Sequence, residues 1–288
     1  MLTRAELTDS FHKLGLRRGD IVHVQSDLRA IGHVEGGTSR RAILEFYLAV
    51  FQDVIGLEGT LTVLTQTVSC GRYGTPFIRE ETPSEVGVFS EFIRRLPGAV
   101  RSLHPIMSIA GIGPRAEEIC GGAHFEGVGY DSPWGRLHRA GAKMVTLGMG
   151  AAEGGTTFFH YIESSYSVPY KYTKVFQNQV IANGVPVPGV FTMSVRYLDF
   201  NVKNTPVRLK HRLLELGKAT QVPTGHALTW CAGCADAFEV GIASLRDDRF
   251  FLLEDPPRFR SGEVPMDGPS GEMRIRFDRA AELEKTPA

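Results

Sequence analysis

The run Lys143-Met144-Val145-Thr146-Leu147-Gly148-Met149-Gly150, with Gly154-Gly155-Thr156-Thr157-Phe158-Phe159-His160-Tyr161-Ile162-Glu163 soon after it, decides how this chain is read. The first segment is apolar and β-branched enough for a buried strand. The glycines break it. The second segment has helical spacing and is stopped by Pro169. The order strand, glycine turn, helix belongs to layered α/β proteins. Thr156 or Thr157 can cap the helix by accepting a backbone N–H. His160 then lies in its first turns, with Glu163 three residues on and on the same face. A histidine just past the carboxyl end of a strand stands where open α/β sheets form their crevices. The same pair could equally be a core histidine held by a carboxylate.

Outward from this point, strands and helices alternate. Thr3 to Leu16 has the period of an amphipathic helix, with Leu7, Phe11 and Leu14 on one face. Ile21-Val22-His23-Val24 and Gly59 to Thr67 read as strands, and the segment between them carries a helix with Ile43, Leu44, Tyr47, Leu48 and Phe51 inward. Cys70 to Ser84, rich in Gly, Pro and Thr, reads as a surface loop, and Val86 to Leu96 as a short helix. Ala110 to Gly113 is a short strand, and Pro114 opens a helix with acids in its first turn. After Pro169, Asn183-Gly184 marks a hairpin, and Phe191 to Tyr197 is a further strand. These antiparallel strands predict a mixed sheet. Arg208 to Leu216 and Glu239 to Arg246 are helices. Residues 1–262 are expected to form one α/β domain, with 263–288, rich in Gly, Pro and charge, as a loosely held tail.

The 288 residues are 42% hydrophobic and 22% charged, which suits a globular protein with a sizeable core. Lys+Arg and Asp+Glu both number 32, so no basic field attracts nucleic acid and no acidic field gathers a polycation. No apolar run is long enough to span a bilayer and the first residues have no signal-peptide core, so the expected location is cytoplasmic. Four cysteines in a chain this long make no disulfide framework. Cys231 and Cys234 have C-x-x-C spacing but no second pair or histidine pair for zinc, so buried thiols and no metal are expected.

Four further stretches carry polar groups. Glu35-Gly36-Gly37-Thr38-Ser39-Arg40-Arg41 opens a helix, where free N–H groups and the dipole suit a phosphate. Arg40 and Arg41 sit where the dipole disfavours cations, which is easier to understand beside an anion. The alternative is a glycine turn with two solvated arginines. Arg101-Ser102-Leu103-His104-Pro105-Ile106-Met107-Ser108 is irregular, with Pro105 forcing His104 to be extended. In Asp131-Ser132-Pro133-Trp134 the turn offers Asp131 to a substrate amine. Asp199, at a predicted strand end, could orient His160 and favour its charged form.

Taken in order, Ser26-Asp27-Leu28-Arg29-Ala30-Ile31-Gly32, Glu35-Gly36-Gly37, Gly59-Thr60-Leu61, Val100 to Pro105, Asp131 to Leu137, and Leu147-Gly148 running on to His160 and Glu163 resemble the aminoglycoside 3-N-acetyltransferase family over roughly residues 1–200. The resemblance implies a three-layer α/β/α sandwich with a central mixed sheet, acetyl-CoA as co-substrate, and direct transfer to a small-molecule amine. It implies a histidine general base, by position His160, helped by Asp199 or Glu163. It places coenzyme A contacts at Ser26, Leu28, Gly36, Gly37, Arg101, Ser102, His104 and Ser108. An imidazole of ordinary pKa about 6.5 can take the proton of an ammonium near neutrality. Thr65, on a neighbouring strand end, is the expected donor to the oxyanion. The basic, aromatic run Val168 to Lys174 favours an anionic, nucleotide-linked amino sugar held by Lys171 and Lys174, as in a surface-polysaccharide branch that the chain also resembles, over a free aminoglycoside. A non-catalytic coenzyme A or sugar binder is a third reading, and a homo-oligomer is left open. No G-x-S-x-G elbow supports a serine hydrolase.

Overall fold

The computed structural model describes residues 1–149, 156–197 and 200–259. Its first half runs α1 Arg4–Lys13, β1 Ile21–Ser26, α2 Leu28–Ile31, α3 Arg40–Ile55, β2 Thr60–Leu64, α4 Val68–Tyr73, β3 Phe77–Ile78, α5 Val88–Arg94, β4 Val100–Arg101, β5 Ile109–Ile112 and α6 Ala116–Cys120. The second runs α7 Pro133–Arg139, β6 Lys143–Leu147, α8 Phe159–Tyr166, β7 Lys171–Phe176, β8 Val180–Ala182, β9 Val185–Pro186, β10 Phe191–Arg196, α9 Val207–Glu215, β11 Ala219–Thr224, β12 Ala227–Gly233 and α10 Cys234–Asp247.

Seven strands form the central sheet in the order β11-β12-β6-β1-β2-β5-β4. The middle three, β6, β1 and β2, are parallel, and the flanking strands are antiparallel. Strands covered on both faces should be apolar throughout, and β2 is buried at every position. Alternate residues supply two cores. Val22, Val24, Leu61 and Val63 meet Phe11, Tyr47 and Phe51 of α1 and α3 on one face. Ile21, Leu64 and Met144 meet Trp134, Ile162, Leu213 and Val240 of α7 to α10 on the other. Two cores on opposite faces of one mixed sheet make the three-layer α/β/α sandwich.

Helix ends follow their sequence signals. Thr3 and Glu6 form a capping box on α1, Ser39 caps α3, and Ser132 with Pro133 opens α7. Asn183 and Gly184 both take positive φ, 52° and 74°, as a two-residue hairpin turn between β8 and β9 requires.

Three expectations need correction. Cys70 to Ser84 is not wholly loop: it holds most of α4 and the short β3, because Cys70 and Phe77 are apolar anchors buried in the core. The main sheet is mixed as expected, but the strands between Pro169 and Tyr197 stay out of it. They form two small sheets, β10-β7 and β3-β8-β9, while β4, β5, β11 and β12 supply the antiparallel partners of the main sheet. Residues 219–233, read as no element, hold β11 and β12. Pro223 and exposed polar residues blur their alternation, and the pairing with β6 places them. The proposed tail, 263–288, lies outside the described residues, as do Gly154, Gly155 and Asp199. Among the described residues no helix is long and apolar enough to cross a membrane.

Candidate active site

β1 and β6 end side by side, with Ser26 opposite Leu147. Beyond these ends Gln25 fixes the start of α8. Its Oε1 accepts from Thr157 N at 2.7 Å and its Nε2 donates to Thr157 Oγ1 at 2.8 Å. Thr156 Oγ1 accepts from Phe158 N at 3.3 Å within the turn, but Phe158 is the N-cap of α8 and no side chain caps it, so the expected threonine cap is not formed. The double clamp by Gln25 sets the rotation of α8, so Ile162 points into the core and His160 toward a cavity.

That cavity measures about 300 Å³ and is lined by Gln66, Met107, Phe159, His160, Met193 and Arg196, among others. The His160 side chain is 31% exposed, and its Nδ1 lies 2.9 Å from Glu163 Oε2. Glu163 is entirely buried. A buried carboxylate must be paired and hydrogen-bonded to stay charged, and this one is. Oε1 accepts from Tyr170 Oη at 2.9 Å and Asn204 Nδ2 at 2.7 Å, while Oε2 meets His160 and the Lys171 ammonium.

The charges set the protonation states. Burial and then the Lys171 charge push His160 down to about 4, against the opposing pull of Glu163, so the ring is neutral near pH 7. Burial opposes the charge on Glu163, but Lys171 and His160 outweigh it and hold the carboxyl below its ordinary range. With Nδ1–H given to Glu163, the Nε2 lone pair is the basic atom of the ring. A neutral, oriented imidazole on a cavity wall can accept a proton from an incoming nucleophile.

The predicted site residues divide into groups. His160, Glu163 and Lys171 come together. Lys171 is 3% exposed at its side chain and committed to Glu163, so it is not a free point charge for a diphosphate. Lys174 is buried, with its ammonium 5.6 Å from the Phe176 ring centroid, and does not line the His160 cavity. Asp131 pairs with Arg136 and Arg139 at the start of α7, away from that cavity. Thr65 is fully buried, its hydroxyl 2.9 Å from Ser108 Oγ, and its neighbour Gln66 reaches the cavity instead.

Ser26 and Leu28 line a groove of about 620 Å³ together with Arg40. Arg101, Ser102, His104 and Ser108 are not brought to it. All four are buried and bonded internally. Ser102 Oγ accepts from Ile109 N, and His104 Nδ1 accepts from Ile106 N and Met107 N, so its Nε2–H donates to Thr192 O at 3.0 Å. These groups shape the loop between β4 and β5. The two glycines have different reasons. Gly36 has φ 68° with open space around it, whereas a Cβ on Gly37 would meet Val34 Cγ2 at 2.9 Å and Ile43 Cγ1 at 3.0 Å. Cys231 and Cys234 are buried free thiols.

Sequence reasoning missed Gln25, Tyr170 and Asn204 as members of the site. Tyr170 carried a signal, since a tyrosine next to a lysine just after the histidine helix can reach back to its carboxylate. Asn204 carried none, because 41 residues separate it from Glu163.

A family model described as aminoglycoside 3-N-acetyltransferase matches residues 21–246. Aminoglycoside N(3)-acetyltransferase III of a Salmonella species is 30% identical over 189 residues, which are 59% of this chain and 63% of that protein, so the match spans under two thirds of the relative. Aminoglycoside N(3)-acetyltransferase IX of Micromonospora chalcea is 30% identical over 207 residues, 64% of this chain and 69% of that protein. Among solved structures, AAC-IIIb in a binary complex with CoASH superposes with a TM-score of 0.71 at 21% identity, over 88% of this chain and 99% of that one.

Proposed function

Because this chain belongs to the aminoglycoside 3-N-acetyltransferase family, we propose that it transfers an acetyl group from acetyl-CoA to an amine of an aminoglycoside, with His160 as general base. The observation that carries the reading is the neutral His160 on the cavity wall, held through Nδ1 by a buried, fully bonded Glu163. His160 Nε2 takes a proton from the acceptor ammonium. The freed amine attacks the thioester carbonyl carbon, an amide C–N bond forms, and the C–S bond breaks. The second proton of the attacking nitrogen passes to the leaving thiolate, giving coenzyme A, and the proton held on His160 is released to solvent.

The groove at Ser26, Leu28 and Arg40 is large enough for an extended ligand, and exposed Arg40 offers a phosphate a cation there. Acetyl-CoA would supply the activated acyl group, and this groove is the part of the chain that fits it. A solved neighbour bound to CoASH supports a coenzyme A donor. As to the acceptor, the case for a nucleotide-linked amino sugar loses support once Lys171 is spent on Glu163. The names of the relatives then favour an aminoglycoside.

Thiol release from acetyl-CoA, with kanamycin-like amines and nucleotide-linked amino sugars side by side, tests the reading. Turnover of the former is expected. His160→Ala should lower kcat by about 10²-fold or more and leave coenzyme A affinity unchanged. Efficient use of nucleotide-linked sugars alone would overturn the acceptor, and unaltered turnover by His160→Ala would overturn the base.

A further inference from the structure

Arg101 in β4 is 6% exposed. Its guanidinium donates to Ser108 Oγ at 3.1 Å, to the Arg79 carbonyl at 3.0 Å, to the Thr65 carbonyl at 3.1 Å, and to the Thr82 carbonyl. Every one of these acceptors is neutral. Among the described residues no carboxylate stands within ion-pair distance of it, although buried cations are ordinarily paired. Burial, and the like charge of Arg94 after it, push Arg101 down to about 9. The group is charged at neutral pH, and Glu91 and Glu80 act on it only from beyond ion-pair distance.

Arg101 forms part of the wall of a cavity of about 540 Å³ at the β4 edge of the main sheet. Arg79, Arg94 and Arg95 line the same cavity, as do the carboxylates of Glu80 and Glu117. Arg79 is neutralised by Glu80 and Arg94 by Glu91. Arg95 is exposed and makes no ion pair among the described residues. Two guanidinium groups, Arg95 and Arg101, therefore face one unpaired carboxylate, Glu117, and the remainder is positive. Asn183, at the tip of the β8–β9 hairpin, accepts from Arg79 Nη2 through its Oδ1 and so keeps its amide N–H groups as further donors. Four segments distant in sequence converge here, and the cavity shares no lining residue with the His160 cavity or the Arg40 groove.

We propose that this cavity is a second ligand site that binds a phosphate-bearing anion, with Arg95 and Arg101 supplying the charge. The exposed Arg95 guanidinium can match phosphate oxygens bidentately, which selects phosphate over a simple halide, while Arg101, most of whose N–H groups are spent on the protein, adds its charge from the wall. The volume falls in the range of small-molecule sites, so it takes a phosphorylated metabolite as well as the inorganic ion. The proposal does not depend on the acyl-transfer reading.

The test is isothermal titration of inorganic pyrophosphate into the full chain, without coenzyme A and then with it added, with Arg40→Ala as the control for the Arg40 groove. Binding is expected, weakened at least about tenfold by Arg95→Glu and unchanged by Arg40→Ala. Arg95 is exposed, so its replacement should leave the fold and the basal turnover intact. Loss of Arg101 would disturb the β4–β5 loop, and the surface variant avoids that difficulty. Absence of heat with pyrophosphate, equal binding by Arg95→Glu, or displacement of pyrophosphate by coenzyme A would each overturn the proposal. Displacement would mean that these arginines serve the phosphates of coenzyme A itself.

Discussion

Lys171 Nζ lies 2.8 Å from His160 Nδ1, and both groups meet the same atom, Glu163 Oε2. One carboxylate oxygen thus serves a neutral ring and an ammonium together. The ammonium makes a second positive charge on the ring unfavourable, so a basic side chain beside the histidine keeps that histidine unprotonated and able to act as a base. Arg196 adds to the same effect from β10, and Glu163 opposes it.

Replacing Lys171 by Met removes that restraint. The His160 pKa should rise, and the acid limb of kcat/KM should move to higher pH. Removing one partner of a buried pair also leaves Glu163 less compensated, at a cost of the order of 3 kcal/mol. A pH–rate profile and a urea melt of Lys171→Met check both. An acid limb at the same pH in variant and parent would contradict the assignment.

Tyr170→Phe and Asn204→Ala each remove one donor from Glu163 Oε1. Each should cost about 1–3 kcal/mol of stability, the range for leaving a buried acceptor short of a partner. The KM for acetyl-CoA should stay constant while kcat falls, because the loss acts through the orientation of His160. Equal changes in both constants would argue for a merely structural role.

Acid should weaken the fold through its histidines. Burial pushes His23 and His104 down to about 3 and His124 to about 4, and all three are at most 2% exposed. In the unfolded chain each titrates near 6.5. Between about 4 and 6.5 the unfolded state binds more protons, so stability rises with pH through this window and is lost as pH falls. At pH 5 the penalty is on the order of 2 kcal/mol for each such histidine. Urea midpoints at pH 7 and pH 5 measure it, and a midpoint that does not drop would refute the account.

The turn before α3 separates packing from binding. Gly37→Val should lower the melting temperature, since its side chain strikes Val34 and Ile43, and should raise KM for both substrates alike. Arg40→Ala touches no core contact and should raise KM for acetyl-CoA alone. Substrate kinetics of the two variants check this pair, and a selective acetyl-CoA defect in Gly37→Val would restore that glycine to the binding groove.

Local physics was legible in the chain. Apolar runs of β-branched residues marked β1, β2 and β6, apolar period marked α1 and α3, and Asn183-Gly184 marked a hairpin. The three-residue spacing of His160 and Glu163 put both on one face of α8, because helical period alone brings them within reach. What the chain could not disclose was partnership over distance. Lys171 looked like a free cation and proved to be the counter-charge of Glu163. Thr65 looked like a cavity donor and turned inward to Ser108. Asn204 looked like nothing and closes the carboxylate's last bond. Whether a polar side chain is spent on the protein or offered to a ligand depends on which strands become neighbours, and only the assembled sheet, with β1 and β6 ending together beneath α8, decided that.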